Sequence, residues 1–194
     1  MRNLAEFGFI YGKFQPFHLG HLDYVKSAAK KCKILFIGIA YPDLIQTYPK
    51  DPDKPENTSP VNNPFNFHER LMMITHSLLD VGIVPGKFFV IPHEPIYLRP
   101  DKFYNYFPKN TTIFYGIISA WEKIKLKRAV NSGFKVDSFF FEDKIHISAT
   151  EIRRRMTKDE NWEELVPNAV SKIIKQINGV GRVKELSKKY SEFL

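Results

Sequence analysis

One cysteine in 194 residues, Cys32, excludes an intramolecular disulfide, leaves no second thiol for a zinc site and fits a reducing compartment. No run of 18 apolar residues occurs, and the opening MRNLAEFGFIYGKF lacks an apolar core of signal-peptide length. The expectation is a soluble, cytoplasmic protein with no membrane partner. Internal repeats and low-complexity tracts are missing too, which argues against a solenoid or a disordered chain. Acid is in the minority. The 29 basic and 21 acidic residues give a formal charge of +8, which suits nucleotides, phosphorylated metabolites or nucleic acid without choosing among them.

What is present allows one good core. At 43% hydrophobic content the chain is expected to form a single domain, 1–194, with a core over 7–157 and a C-terminal helical appendage over 158–194. Residues 7–12 and 33–40 are short, nearly continuous apolar runs, as in strands buried on both faces of a parallel sheet. Between them, Leu19, Leu22, Val25 and Ala29 recur at helical spacing within 18–31. The alternation continues with a helix at 67–81 (Leu71, Ile74, Leu78), strands at 88–92 and 112–116, a helix at 119–131 and a strand at 136–141. Helices follow through Met156, at 167–177 and at 181–193. This order predicts an α/β fold with an open, doubly wound parallel sheet, in which ligands bind beyond the carboxyl ends of the strands.

Two connections interrupt the alternation. Residues 41–66 carry six prolines (Pro42, Pro49, Pro52, Pro55, Pro60, Pro64), and 93–110 is dense in Tyr, Phe and Pro. Connections this long are expected to be functional, so 41–66 is read as a lid or acceptor-binding segment.

Two short segments carry chemistry. Gly12-Lys13-Phe14-Gln15-Pro16-Phe17-His18-Leu19-Gly20-His21 spans the end of the first strand and the start of the first helix. Gly12 and Gly20 allow close backbone approach, and the first-turn amides of the helix point toward an anion. His18 and His21 share one helical face, where two imidazoles can donate to phosphate oxygens whose charge grows in a phosphoryl-type transition state. An isolated His-x-x-His is more often a surface pair, and zinc would need further ligands that His68, His76, His93 and His146 do not supply at any obvious spacing. The second segment, Ile147-Ser148-Ala149-Thr150-Glu151-Ile152-Arg153-Arg154-Arg155, opens a helix with Ser148 or Thr150 and places Glu151 as in a capping box. Three arginines in the first turns run against the macrodipole, a cost that an anion bound there would offset. Arg153 is the candidate for gripping it.

GKFQPFHLGH resembles the first signature of the HxGH nucleotidyltransferase superfamily, and ISATEIRRRM resembles its second, ISxTxxR, about 125 residues later. Within it, Gly12–His18, Asn63-Pro64-Phe65 with Glu69-Arg70, and Trp162–Pro167 are similar to segments of the archaeal-type nicotinamide-nucleotide adenylyltransferases. The resemblance implies a Rossmann-like nucleotidyltransferase fold that transfers AMP from ATP, with magnesium, to nicotinamide mononucleotide (NMN), giving NAD and pyrophosphate. It implies His18, His21 and Lys13 as catalytic, Gly12, Phe14, Gln15, Gly20, Ser148, Thr150 and Arg153 as nucleotide-binding, and a homo-oligomer. ATP and a small phosphorylated acceptor are then the partners, rather than nucleic acid. Metal ligation by protein side chains is not expected.

The chain departs from that pattern where acceptors are chosen. Lys13 replaces an arginine and cannot form its bidentate fork, and the Asp and Trp of the family's nicotinamide pocket are unmatched in 93–108. Tyr97, Phe103 and Tyr104 are the candidates there for stacking on an acceptor ring. Alternative readings are adenylyl or cytidylyl transfer to another phosphate-bearing or hydroxyl acceptor, and a non-catalytic nucleotide- or RNA-binding module. A hydroxyl acceptor would call for a general base, and none is apparent.

Overall fold

A computed structural model describes residues 4–42, 58–94, 100–117, 120–140 and 147–190, apart from the side chains of Trp121 and Phe140. Five strands form one sheet: β1 (Ala5–Gly12), β2 (Cys32–Ala40), β3 (Phe88–His93), β4 (Thr112–Ile117) and β5 (Val136–Phe140). Their order is β3-β2-β1-β4-β5, and every pairing is parallel. Among the described residues seven α-helices accompany them: α1 (Leu19–Ala29), α2 (Phe67–Asp80), α3 (Phe103–Tyr106), α4 (Ala120–Asn131), α5 (Ala149–Thr157), α6 (Asn168–Gln176) and α7 (Gly179–Lys189). No helix among the described residues is long and apolar enough to cross a membrane.

The apolar strand runs are explained by helices on both faces. Successive residues of β1 point to opposite sides, so Ile10 joins a cluster with Leu22 and Val25 of α1 and Met73 and Ile74 of α2, while Phe9 joins one with Phe103 of α3 and Ala129 of α4. The chain leaves β1 for β2 on one side and later returns to place β4 on the other. The carboxyl ends of β1 and β4 therefore flank the topological switch point, the preferred ligand crevice of such sheets.

The segment beyond Thr157 is not separately packed. Ile152 and Met156 of α5, Val170 and Ile174 of α6, and Val183 of α7 bury their side chains in the same cluster as α1 and α2. One short element was not legible from periodicity: the aromatic stretch after Pro100 contains a 3₁₀ turn (Pro100–Lys102) and the single-turn α3.

Gly8 marks how closely the layers meet. A β-carbon there would lie 2.6 Å from both Cys32 Sγ and Phe114 Cε2, and both neighbours are buried. Gly8→Ala is expected to lower stability by about 1–3 kcal/mol through overpacking, read as a fall in the denaturant midpoint at unchanged slope.

Candidate active site

The first segment turns sharply after β1. Phe14 adopts a left-handed backbone conformation, φ 54°, and its buried ring folds back over Gly12, where a β-carbon would lie 2.9 Å from the ring. Gly12 is thus required by this turn. His18 then caps α1, its Nδ1 accepting a hydrogen bond from the backbone N–H of His21 at 3.2 Å. With Nδ1 occupied as an acceptor, the neutral ring carries its proton on Nε2 and is a donor there.

The His21 ring stacks on His18 with centroids 3.5 Å apart and meets Phe14 edge-on at 4.9 Å. Its Nδ1 is buried without a hydrogen-bond partner among the described residues. Both imidazoles are held uncharged. Burial pushes His18 down to about 3, and burial, then the neighbouring His18 and Lys125, push His21 well below the usual histidine range against a weaker pull from the Pro16 carbonyl. Gly20 completes the turn, since a β-carbon there would sit 3.2 Å from His18 Nδ1 and 3.9 Å from the Ile147 carbonyl oxygen. The second segment therefore passes close to Gly20 at the start of α1.

Ser148 caps α5, accepting from the Glu151 N–H at 3.1 Å. The expected capping box is only half formed, because the Glu151 carboxylate takes bonds from Arg154 (2.8 Å) and Arg155 (3.0 Å) instead. These two arginines also reach Glu160 and Glu164, so local carboxylates relieve much of the like-charge cost in that turn. A complete box occurs at α2, where Asn66 and Glu69 exchange bonds of 2.9 Å each.

Arg153 differs from its neighbours. It is 7% exposed, donates from Nη1 to the Gln15 carbonyl at 2.7 Å, and donates from Nη2 to Asn62 Oδ1 and, at 3.3 Å, to Thr150 Oγ1. The guanidinium assigned from sequence to the triphosphate thus ties the two segments to each other and to the end of the 41–66 connection. Burial lowers it to about 10, so it stays charged at neutral pH.

Three of the assigned side chains lie buried with partners of their own. Phe14 is core, leaving only its backbone for a ligand. Gln15, 2% exposed, uses its amide on Phe65, with Nε2 donating to the carbonyl at 2.8 Å and Oε1 accepting from the N–H at 2.9 Å. Phe103, also 2% exposed, is wedged against Phe9 and Phe107 and has no face left for an acceptor. Tyr104 is half-buried on Phe103 and Phe134; Tyr97 lies outside the described residues.

Sequence reasoning did not identify the residues that brace the site. Arg70, 1% exposed, donates from Nη1 to the carbonyls of Lys13 and Ala40 and from Nη2 to that of Tyr41, each at 2.8 Å. It ties the chain just beyond β1 to the end of β2. Arg182 of α7 grips Glu69 at 2.7 and 2.9 Å and the Pro64 carbonyl at 3.1 Å. Asn66-x-x-Glu69 could have been read as a cap and Glu69-Arg70 fall in a family-like stretch, but nothing in the pattern marks Arg70 as buried or pairs Arg182 with Glu69. Beside Asn62, Thr150 and Arg153 opens a cavity of about 690 Å³, lined also by Lys184 and Lys188 of α7. Among the described residues no group of three or more His, Cys, Asp or Glu side chains could hold a metal ion.

A parallel α/β sheet with two uncharged imidazoles at its switch-point helix, bound side by side with a cationic helix start, defines a nucleotide-phosphate-handling enzyme of the HxGH class. The chain belongs to the cytidylyltransferase-like family, which it matches over residues 9–155. It is 31% identical to a phosphonoformate cytidylyltransferase of Streptomyces viridochromogenes over 89% of this chain and 92% of that protein. It is 32% identical to the nicotinamide-nucleotide adenylyltransferase of Methanolobus tindarius over 95% of this chain and 96% of that one. Its fold is shared with a bifunctional NMN adenylyltransferase/ADP-ribose pyrophosphatase of Francisella tularensis (TM-score 0.70, 18% identity), with 96% of this chain spanning 54% of that one. That protein has also been solved with AMP and a manganese ion (TM-score 0.68).

The buried imidazoles make stability depend on pH. His18 is neutral in the folded state down to about 3, whereas the unfolded chain protonates it near the ordinary value of about 6.5. The unfolded state therefore binds more protons between those values, and stability is full above the upper one and falls as pH drops through the window. The denaturation midpoint should be lower at pH 5 than at pH 7. His18→Asn, which keeps a capping acceptor, should flatten part of that slope; an unchanged slope would contradict the buried neutral ring.

Proposed function

We propose that the protein transfers AMP from ATP to NMN, forming NAD and pyrophosphate. The observation that carries this reading is the stacked His18–His21 pair at the start of α1, joined through Arg153 and Gly20 to the start of α5. The similarity to nicotinamide-nucleotide adenylyltransferases over nearly the whole chain supports the acceptor.

In this reaction an oxygen of the NMN 5′-phosphate attacks the α-phosphorus of ATP, a new P–O bond forms, and the bond to the β-phosphate breaks in line to release pyrophosphate. The attacking phosphate is already ionised at neutral pH, so no general base is needed, and the residues contribute positioning and charge stabilisation. His18 donates from Nε2–H to the phosphates, His21 beside it offers a second imidazole, and the first-turn amides of α1 point at the same anion. Lys13, Ser148 and Thr150 serve the triphosphate, while Arg153 contributes its charge and holds the segments in register. Magnesium entering with ATP would offset phosphate charge, and with no carboxylate cluster among the described residues it would take its ligands chiefly from phosphates and water. The working form is proposed to be a homo-oligomer.

A second reading has its own support: cytidylyl transfer from CTP to a small phosphonate or phosphate, favoured by the likeness to the phosphonoformate cytidylyltransferase and by the unmatched Asp and Trp in 93–108. Pyrophosphate release over ATP and CTP against NMN, nicotinate mononucleotide and small phosphonates separates the two. The expected result is turnover with ATP and NMN. Turnover confined to CTP with a phosphonate would replace the first reading with the second. His21→Ala is expected to cut kcat at least about 100-fold, the scale of losing one transition-state donor.

A further inference from the structure

His93 is the last residue of β3, in register with Ala40 at the end of β2, and so stands at the carboxyl edge of the sheet. Gly38 makes room for it, since a β-carbon there would come within 3.0 Å of His93 Cβ. Its ring is boxed by aromatic neighbours: Phe9 edge-on at 4.8 Å, Tyr11 at 5.9 Å and Phe107 at 6.1 Å. Tyr11 in turn meets Tyr115 of β4 at 6.2 Å, which carries the aromatic wall across the switch point.

Inside this wall His93 Nε2 is buried and has no hydrogen-bond partner among the described residues. Buried polar atoms are almost always paired, so an unpaired one at a ligand edge marks a place for a ligand atom. Burial alone acts on the His93 ring and brings it down to about 4, with no charged neighbour contributing. One ring further out, burial raises Tyr11 well above the usual phenol range against a weaker opposing pull from Arg128, and Lys125, whose Nζ lies 5.8 Å from the Tyr11 ring centroid, pairs with Glu122 at 3.4 Å. A carboxylate brought against Nε2 would lose water where no cation acts on the His93 ring, whereas an amide would lose little and could satisfy Nε2. The mechanism above makes no use of this histidine.

We propose that His93 is an acceptor-specificity residue whose Nε2 pairs with an uncharged polar substituent on the acceptor ring, selecting a carboxamide over a carboxylate. This rests on the NMN reading and adds to it a rule for discriminating between the two pyridine nucleotides. A site built to hydrogen-bond one group discriminates strongly against an analogue that leaves its buried atom unpaired.

The test compares kcat/KM for NMN and nicotinate mononucleotide, each with ATP, in the wild type, His93→Leu and His93→Gln. The wild type should prefer NMN by at least about 10-fold. His93→Leu should bring the ratio to within about 3-fold by raising the KM for NMN while leaving that for ATP unchanged, and His93→Gln, which keeps an uncharged polar end, should retain most of the preference. A wild type that uses both acceptors equally, or a His93→Leu protein with the wild-type ratio, overturns the inference while leaving adenylyl transfer to NMN standing. Silence with both pyridine nucleotides sinks the NMN reading itself. In that event titration calorimetry with NMN decides the inference: weaker binding to His93→Leu than to wild type sustains it, and equal or absent binding overturns it.

Discussion

The guanidinium of Arg153 is almost out of water, and its hydrogen bonds reach Gln15, 138 residues earlier in the chain, as well as Asn62 and Thr150. A buried cation is tolerable only when its protons are taken up, and leaving one of them unsatisfied costs about 1–3 kcal/mol or more. The turn after β1, the end of the 41–66 connection and the start of α5 are therefore obliged to meet at one place. The histidines and the Ser148–Thr150 helix start are neighbours because this cation has nowhere else to give its hydrogens.

The partners of Arg153 are neutral oxygens, so its charge is not cancelled by a carboxylate in these contacts. Arg70 likewise donates to backbone carbonyls, those of Lys13, Ala40 and Tyr41. The result is a buried positive charge on Arg153 tied to the turn after β1, in a setting where water screens poorly. A polyanion can be attracted by charges it need not touch. Uncharged histidines then supply directional hydrogen bonds without adding two further cations to a crowded site.

Much of this was legible in the chain itself. The parallel sheet could be read because strands covered on both sides need continuous apolar runs, and 7–12 and 33–40 have them. The two signatures could be read because backbone approach needs glycine and phosphate needs donors at a helix start. What stayed hidden was burial. Gln15, Arg70 and Arg153 look like surface or ligand-facing polar residues in a linear pattern, and only their depth reveals that backbone carbonyls and loop side chains use them. Phe103 is the converse case: in a string of aromatics no periodicity separates a ring that stacks on a ligand from one that fills the core, and α3 is too short to impose a period. The burial of His93 Nε2 inside an aromatic wall exists only in three dimensions.

Arg182 reaches back across 113 residues to Glu69 and 118 to Pro64, so the brace on the start of α2 is among the last parts of the fold to be synthesised. A ribosome-bound chain that has already exposed both signatures still lacks α7, and its Glu69 carboxylate waits without the arginine. The order of translation thus supplies the partner of Glu69 only after α6 has arrived to pack on α2.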